Sequence, residues 1–127
     1  MLYESSIQKA NLIMDLRSMG ISSNNVLSAI EKIPREIFLP SAFQSYAYEN
    51  NPLPIGFEQT ISQPYIVALM TEALNLKGNE IILEIGTGSG YQTSVLSLLS
   101  RRVYSIERIK PLLVNALLCF KKLKLTN

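Results

Sequence analysis

Three glycines at alternate positions, Gly86, Gly88 and Gly90, close an apolar run in the stretch EIILEIGTGSGYQTSVLSLLS (residues 80–100), and a helical pattern starts directly after them. Glycine reaches positive φ without a Cβ clash and lets the backbone pass close to a ligand. A strand–glycine turn–helix is therefore suited to holding a small molecule against backbone N–H groups. The spacing is G-x-G-x-G, whereas dinucleotide turns carry G-x-G-x-x-G around a pyrophosphate, so a smaller ligand fits this pattern better. Glu107 follows Gly86 by 21 residues, where a βαβ unit of this size ends its second strand beside the first. A carboxylate there can accept both hydroxyls of a ribose, through charge-assisted hydrogen bonds of about 1.5–3 kcal/mol each. Turn and acid together read as a nucleoside site. The residues themselves leave open the plainer reading, a tight βα turn with a surface glutamate.

Other chemistries are excluded by what the chain lacks. It has no histidine, which removes Ser–His–Asp and Cys–His catalysis and argues against a zinc site. The single cysteine, Cys119, has no internal disulfide partner and lies in an apolar helical run. It reads as a small core residue in a reducing, cytoplasmic protein. A net charge of +2 is too small to point to nucleic acid or an anionic membrane as partner. The cluster Lys121, Lys122 and Lys124 reads as a solvated last helical turn. Glu4 and Lys9 interrupt the N-terminus, so no signal peptide is expected. No stretch reaches the roughly 18 uncharged apolar residues of a membrane span.

The elements that must position the turn follow from periodicity. Leu12, Ile13, Leu16 and Met19 predict a helix over residues 8–19, stopped by Gly20. Ser22 or Ser23 caps a second helix carrying Val26, Leu27 and Ile30, which ends near Ile33 ahead of Pro34. The pieces IPREIFLP and SAFQSYAYEN predict short turns. Residues 51–64, NPLPIGFEQTISQP, read as a loop, long enough to suggest a functional one. A helix opens at Pro64 with Ile66, Leu69, Met70, Ala73 and Leu74 as its buried stripe, and ends at Lys77–Gly78. Strand 80–85, helix 91–99 and strand 103–106 form a parallel, right-handed βαβ unit. A last helix spans 111–123, with Leu112, Leu113, Ala116, Leu117 and Phe120 facing the sheet.

LEIGTGSGYQT closely resembles motif I of class I S-adenosylmethionine methyltransferases. With PLPIGFEQTISQPYIVALMTEAL, IPREIF and SIERI, residues 7–125 resemble the protein-L-isoaspartate O-methyltransferase family, of which QTISQP beside motif I is characteristic. The resemblance implies an α/β protein: an N-terminal helical region (1–78) with an active-site loop (51–64), then the first βαβα part (79–127) of a Rossmann-like sheet. It implies S-adenosyl-L-methionine as cofactor. Isoaspartyl proteins or peptides would be the substrate, methylated on carboxylate in protein repair. By the same resemblance Gly86, Gly88, Ser89 and Gly90 cradle the methionine part, Glu107 holds the ribose, and Arg108 lies near the adenine. Gln59, Thr60, Ile61 and Ser62 cover the methyl-transfer site, with Ser62 in the active-site serine position. Without the family, Ser62 reads as an N-cap of the Pro64 helix, and Tyr65 as packing.

The implied chemistry suits the composition. A carboxylate with pKa about 4 is ionised at neutral pH and needs no base, and a thioether leaves without a proton. Alignment of the two reactants can supply roughly 7–11 kcal/mol. Glu58 departs from the family pattern, standing where many members have glycine. So does the length, because the family's sheet has seven strands and this sequence supplies two. The strand at 81–85 is therefore expected to keep an unpaired edge. An enzyme whose short form still binds cofactor and works, alone or completed by another chain, and a catalytically inactive, truncated remnant are the two readings; a dinucleotide-binding half-domain is disfavoured by the glycine spacing.

Overall fold

The computed structural model describes residues 2–127, with side chains from Glu4 onward. In chain order it contains α1 (Leu2–Ser18), α2 (Asn24–Lys32) and two 3-10 segments, Arg35–Phe38 and Ser41–Tyr46. Strands β1 (Leu53–Gly56) and β2 (Gln59–Ile61) follow, then α3 (Pro64–Leu74), β3 (Ile81–Ile85), α4 (Tyr91–Leu99), β4 (Arg102–Ile106) and α5 (Lys110–Lys122). Among the described residues no helix is long and apolar enough to cross a membrane.

Helix ends follow local chemistry. Gly20, at φ +103°, lies just past α1, where a left-handed residue closes the last turn. Ser23 Oγ accepts the Val26 N–H at 3.3 Å and caps α2. Ile33 is extended ahead of Pro34, as proline demands of its predecessor. Helix α3 opens on Pro64 but stops earlier than the sequence suggests. Asn75 takes the left-handed conformation, at φ +51°, and ends the helix before Lys77–Gly78 is reached.

One core cluster joins the helical part to the glycine-turn part: Leu12 and Leu16 from α1, Val26, Leu27 and Ile30 from α2, Val67 and Ala68 from α3, Tyr91 and Val95 from α4, and Cys119 from α5. The stripe expected on α3 does not face it. Pro64, Val67, Ala68 and Thr71 are buried, whereas Ile66, Leu69, Met70, Ala73 and Leu74 are exposed. Because α3 is apolar on all sides, periodicity could not choose the face; a long-range contact does. Glu72 Oε1 accepts the N–H groups of Ser22 (3.1 Å) and Ser23 (2.9 Å) and the Ser22 hydroxyl (3.0 Å), which sets the rotation of α3 against α2. Met19, expected inside, is also largely exposed.

Residues 51–64 are more ordered than a loop. β1 and β2 pair antiparallel, with Leu53 opposite Ile61 and Gly56 opposite Gln59, around a two-residue turn at Phe57 and Glu58. Pro54 is tolerated because a two-stranded ribbon has only edge strands.

β3 and β4 pair in parallel, from Ile81 opposite Arg102 to Ile85 opposite Ile106, as the βαβ reading requires. Their alternation puts Ile82, Glu84, Val103 and Ser105 on the covered face and leaves Ile81, Leu83, Ile85, Tyr104 and Ile106 exposed. Among the described residues β3 pairs with β4 alone, so its second edge is unpaired there, as expected. Helix α5 turns Leu113, Leu117 and Phe120 toward the cleft that Val103 and Ser105 line on the sheet, and buries Cys119 in addition. Leu112, Ala116 and Cys119 are buried while Leu117 is exposed. The Cys119 thiol donates to Ile37 O at 3.4 Å, and burial pushes its pKa up.

Gly90 sets how closely α5 approaches the turn. A Cβ built there would sit 2.8 Å from Phe120 Cε1 and 3.0 Å from Ala116 Cβ, and φ is +91°. Backbone conformation and the approach of α5 therefore both require glycine. Gly90→Ala is expected to cost at least about 2 kcal/mol through overpacking and left-handed strain. Urea denaturation of the two chains checks this, and a loss below about 0.5 kcal/mol, the range of neutral surface changes, would contradict it.

Candidate functional site

The turn leaves β3 and is anchored on the end of β4. The N–H groups of Gly86 (2.7 Å) and Thr87 (3.2 Å) both donate to Ile106 O, and Gly90 N–H donates to Thr87 O at 2.9 Å. Gly86 and Gly88 hold φ of +91° and +56°, which side chains rarely adopt. At Gly86 a built Cβ meets nothing within 4 Å, and at Gly88 it meets only Ile55 Cδ1 at 4.0 Å. The outer side of the turn is therefore open, with the β1–β2 ribbon bordering it at Ile55.

Glu107, just beyond β4, aims its carboxylate into this turn. Oε1 accepts the Gly88 N–H at 2.8 Å and Oε2 accepts the Ile109 N–H at 2.9 Å. These backbone bonds, that of Ile109 first and of Gly88 next, hold its pKa below the usual carboxylate range. Each oxygen keeps a free acceptor site. Ser89 Oγ accepts the Tyr91 N–H at 3.2 Å, supporting the start of α4, and Arg108 is exposed. The sequence-predicted set Gly86, Gly88, Ser89, Gly90 and Glu107 is thus gathered at one strand end.

The second predicted set lies on the ribbon. Gln59, Thr60 and Ser62 are exposed, whereas the Ile61 side chain is buried at 2% exposure and anchors the ribbon in the core. Ser62 does not cap α3. Gln63 occupies the cap position without a side-chain bond, and Asn50 does the capping: its Oδ1 accepts Tyr65 N–H and its carbonyl accepts Gln63 Nε2, both at 2.9 Å. Ser62 Oγ is left without a hydrogen-bond partner among the described residues. Tyr65 packs against the core, as expected.

Phe57 and Glu58 both sit at positive φ, +55° and +57°, the pattern of the two-residue turns that favour Asn-Gly. The departure at Glu58 thus falls where glycine costs nothing and an ordinary side chain about 1–2 kcal/mol.

Residues that the sequence did not single out complete the surroundings. The Glu84 carboxylate accepts the hydroxyls of Thr93 and Ser105, the latter at 2.6 Å, and burial pushes its pKa up. Thr87, Thr93 and Ser105 border a cleft of about 270 Å³ beneath α5. A second cleft, about 370 Å³, runs between Ile55, Ser89, Leu112 and Asn115 and connects ribbon, turn and α5. A lone acid in an apolar strand was a readable signal for Glu84. Arg35, which is fully buried and donates to Ser62 O at 3.2 Å, offered none.

Glu58→Gly is expected to raise stability by about 1 kcal/mol by relieving the left-handed turn; thermal unfolding checks it, and a destabilised variant would refute the turn assignment. Glu107 gives a pH test. Its folded pKa is depressed, so its contribution is present above the unfolded value of about 4.3 and fades as pH falls through the folded value. The unfolding midpoint of Glu107→Gln should therefore lie below wild type at pH 7, and the gap should close under acid. A gap independent of pH would refute the carboxylate's role.

The fold and site have counterparts among known proteins. The sequence profile of the family described as Protein-L-isoaspartate(D-aspartate) O-methyltransferase matches residues 7–127. A protein-L-isoaspartate O-methyltransferase of Dictyoglomus turgidum is 62% identical over 105 residues, covering 83% of this chain and 48% of that protein. One from Vibrio vulnificus is 55% identical over 123 residues, covering 97% of this chain and 59% of its own. Among solved structures, a protein-L-isoaspartate O-methyltransferase superposes with a TM-score of 0.83 at 31% identity, over 94% of this chain and 40% of that one. A Plasmodium falciparum structure described as belonging to the same enzyme class, in complex with S-adenosyl-L-homocysteine, gives 0.76 at 26% identity, over 92% of this chain and 59% of that one. This chain spans about half the length of the curated relatives it matches. Its partial Rossmann-like α/β architecture is that of these structures, and the chain belongs to the protein-L-isoaspartate(D-aspartate) O-methyltransferase family.

Proposed function

We propose that this chain carries the cofactor turn and acceptor loop of a protein-L-isoaspartate (D-aspartate) O-methyltransferase, acting in the cytoplasm in the repair of damaged aspartyl residues. The observation that carries the reading is the Glu107 carboxylate, held on Gly88 N–H at the rim of an open glycine turn. Bound S-adenosyl-L-methionine would supply a methyl group activated by its sulfonium. Gly86, Gly88, Ser89 and Gly90 would hold the methionine part, Glu107 the ribose hydroxyls, and Arg108 the adenine side. These residues fit such a group: the turn is open over Gly86, and both Glu107 oxygens keep lone pairs for hydroxyl donors.

The remaining work is done without proton transfer by the protein. An isoaspartyl carboxylate is already ionised at neutral pH, with pKa about 4, so it needs orientation and a dry site. Ser62 Oγ, free of capping duty, would donate to that carboxylate and aim it. Gln59 and Thr60 would cover the site, while Ile61 keeps the segment anchored. The parts 1–78 and 79–127 would then supply the acceptor and cofactor sides respectively.

A second reading, a non-catalytic remnant, is favoured by the sheet. Ile81, Leu83 and Ile85 are 60%, 65% and 74% exposed, although parallel sheets are normally covered on both faces. Calorimetry with S-adenosyl-L-homocysteine and a methylation assay on an isoaspartyl peptide separate the two. Binding should weaken at least about tenfold in Glu107→Ala, given about 1.5–3 kcal/mol per charge-assisted bond. Methyl transfer to the peptide supports the enzyme; binding without transfer supports the remnant; absence of binding overturns the cofactor site.

A further inference from the structure

We infer that Arg35 is the positioning residue that fixes the acceptor ribbon against the glycine turn. This rests on the reading that the 59–62 segment faces the methyl acceptor. Arg35 lies in the first 3-10 segment and is fully buried. Its Nη2 donates to Asn51 O at 2.9 Å and to Ser62 O at 3.2 Å, so one nitrogen ties together both ends of the ribbon. Its Nη1 donates to Ala47 O at 2.7 Å and Glu49 O at 3.4 Å, fixing the approach to β1. The guanidinium carbon lies 5.9 Å from the centroid of the Tyr91 ring. Tyr91 is buried, follows Gly90 directly and begins α4.

One rigid, planar group thereby joins the backbone that carries Ser62 to the residue that ends the glycine turn. All of its hydrogen-bond acceptors are carbonyls, so ion pairing does not explain its place. What the fork supplies is geometry: several acceptors held in one plane, with an aromatic ring nearby. A lysine keeps the charge but presents a single flexible ammonium that cannot reproduce the fork. Since the alignment of reactants is the main task left to the protein, a group that sets the distance between ribbon and turn acts on the reaction without touching either reactant.

The test compares wild type, Arg35→Lys and Arg35→Met as nitrogen-15-labelled chains, by backbone NMR with and without S-adenosyl-L-homocysteine and by amide hydrogen exchange. In wild type the ligand should shift amides of 86–90 and also of 59–62. In Arg35→Lys the shifts at 86–90 should persist while those at 59–62 collapse. Exchange at the β1–β2 amides should then accelerate by roughly tenfold, with α1 and α2 unchanged. Arg35→Met should do the same more strongly; if it does not fold, Arg35→Lys decides. Wild-type responses at 59–62 in Arg35→Lys, or exchange accelerated uniformly through α1, α2 and α4, overturns the inference. If wild type shows no ligand response at 86–90, the cofactor reading fails separately, and the exchange comparison still decides the role of Arg35.

Discussion

A buried guanidinium whose hydrogen bonds among the described residues all go to carbonyls is the constraint on which the centre of this molecule depends. Removing a charge from water costs several kcal/mol even after relaxation, and desolvation accordingly lowers the pKa of Arg35. Four carbonyl oxygens from residues 47–62 offset that cost. They do so only in one arrangement of the segment, so the charge selects a conformation that apolar packing alone would leave loose. Arg35 Nε has no hydrogen-bond partner among the described residues, so its two terminal nitrogens carry these bonds. The T-shaped contact of Tyr91 with Phe38, at 5.6 Å between centroids, then locks the ring against which the guanidinium lies. Segment order, helix α4 and the ribbon are settled together.

The glycine turn is built on the same principle, a polar group that satisfies backbone while keeping capacity for more. Glu107 accepts from Gly88 and Ile109, and so braces the turn and the start of α5 at once. A carboxylate with two oxygens accommodates roughly four donors, hence bracing leaves acceptor capacity on Glu107. The three glycines divide their duties. Gly86 and Gly88 give the backbone its left-handed bends beside open space, and Gly90 additionally admits Phe120. Only the third is a packing glycine. That distinction is invisible in the spacing.

What the sequence made legible was local. Glycine and proline marked the ends of α1, α2 and α4 closely, because φ restrictions act on the residue that carries them. The strand pair and its parallel sense followed from the order strand, turn, helix, strand. What it hid was decided over distance. The outward face of α3 was misread because Ile66, Leu69 and Met70 are as apolar as Val67 and Ala68, and Glu72 reaching 50 residues back to Ser22 makes the choice. The β1–β2 ribbon was hidden by Phe57 and Glu58, which occupy a turn normally announced by Asn-Gly. IPREIF carried no mark of a buried Arg35, since the carbonyls that receive it lie 12 to 27 residues onward. Of the site, the turn and its acid were readable as a motif, while the capping of α3 by Asn50 in place of Ser62 was not.

Site geometry and domain stability are separable in this chain. The turn is braced entirely from within: by Ile106 O below, Glu107 at the rim, and Ala116 and Phe120 behind Gly90. None of those contacts involves the open edge of β3 or the exposed face carrying Ile81, Leu83 and Ile85. The sheet is the opposite case. Its covered face holds Glu84 and Ser105 beside Ile82 and Val103, while Ile81, Leu83 and Ile85 meet solvent, which leaves much of the usual gain from burial unrealised. Net stability is a difference of only 5–15 kcal/mol in an ordinary domain, so covering that face would strengthen the fold far more than it would reshape the turn. The bracing of the glycine turn is thus local to the ends of β3 and β4, whereas the exposed face of those strands adds little to holding them together.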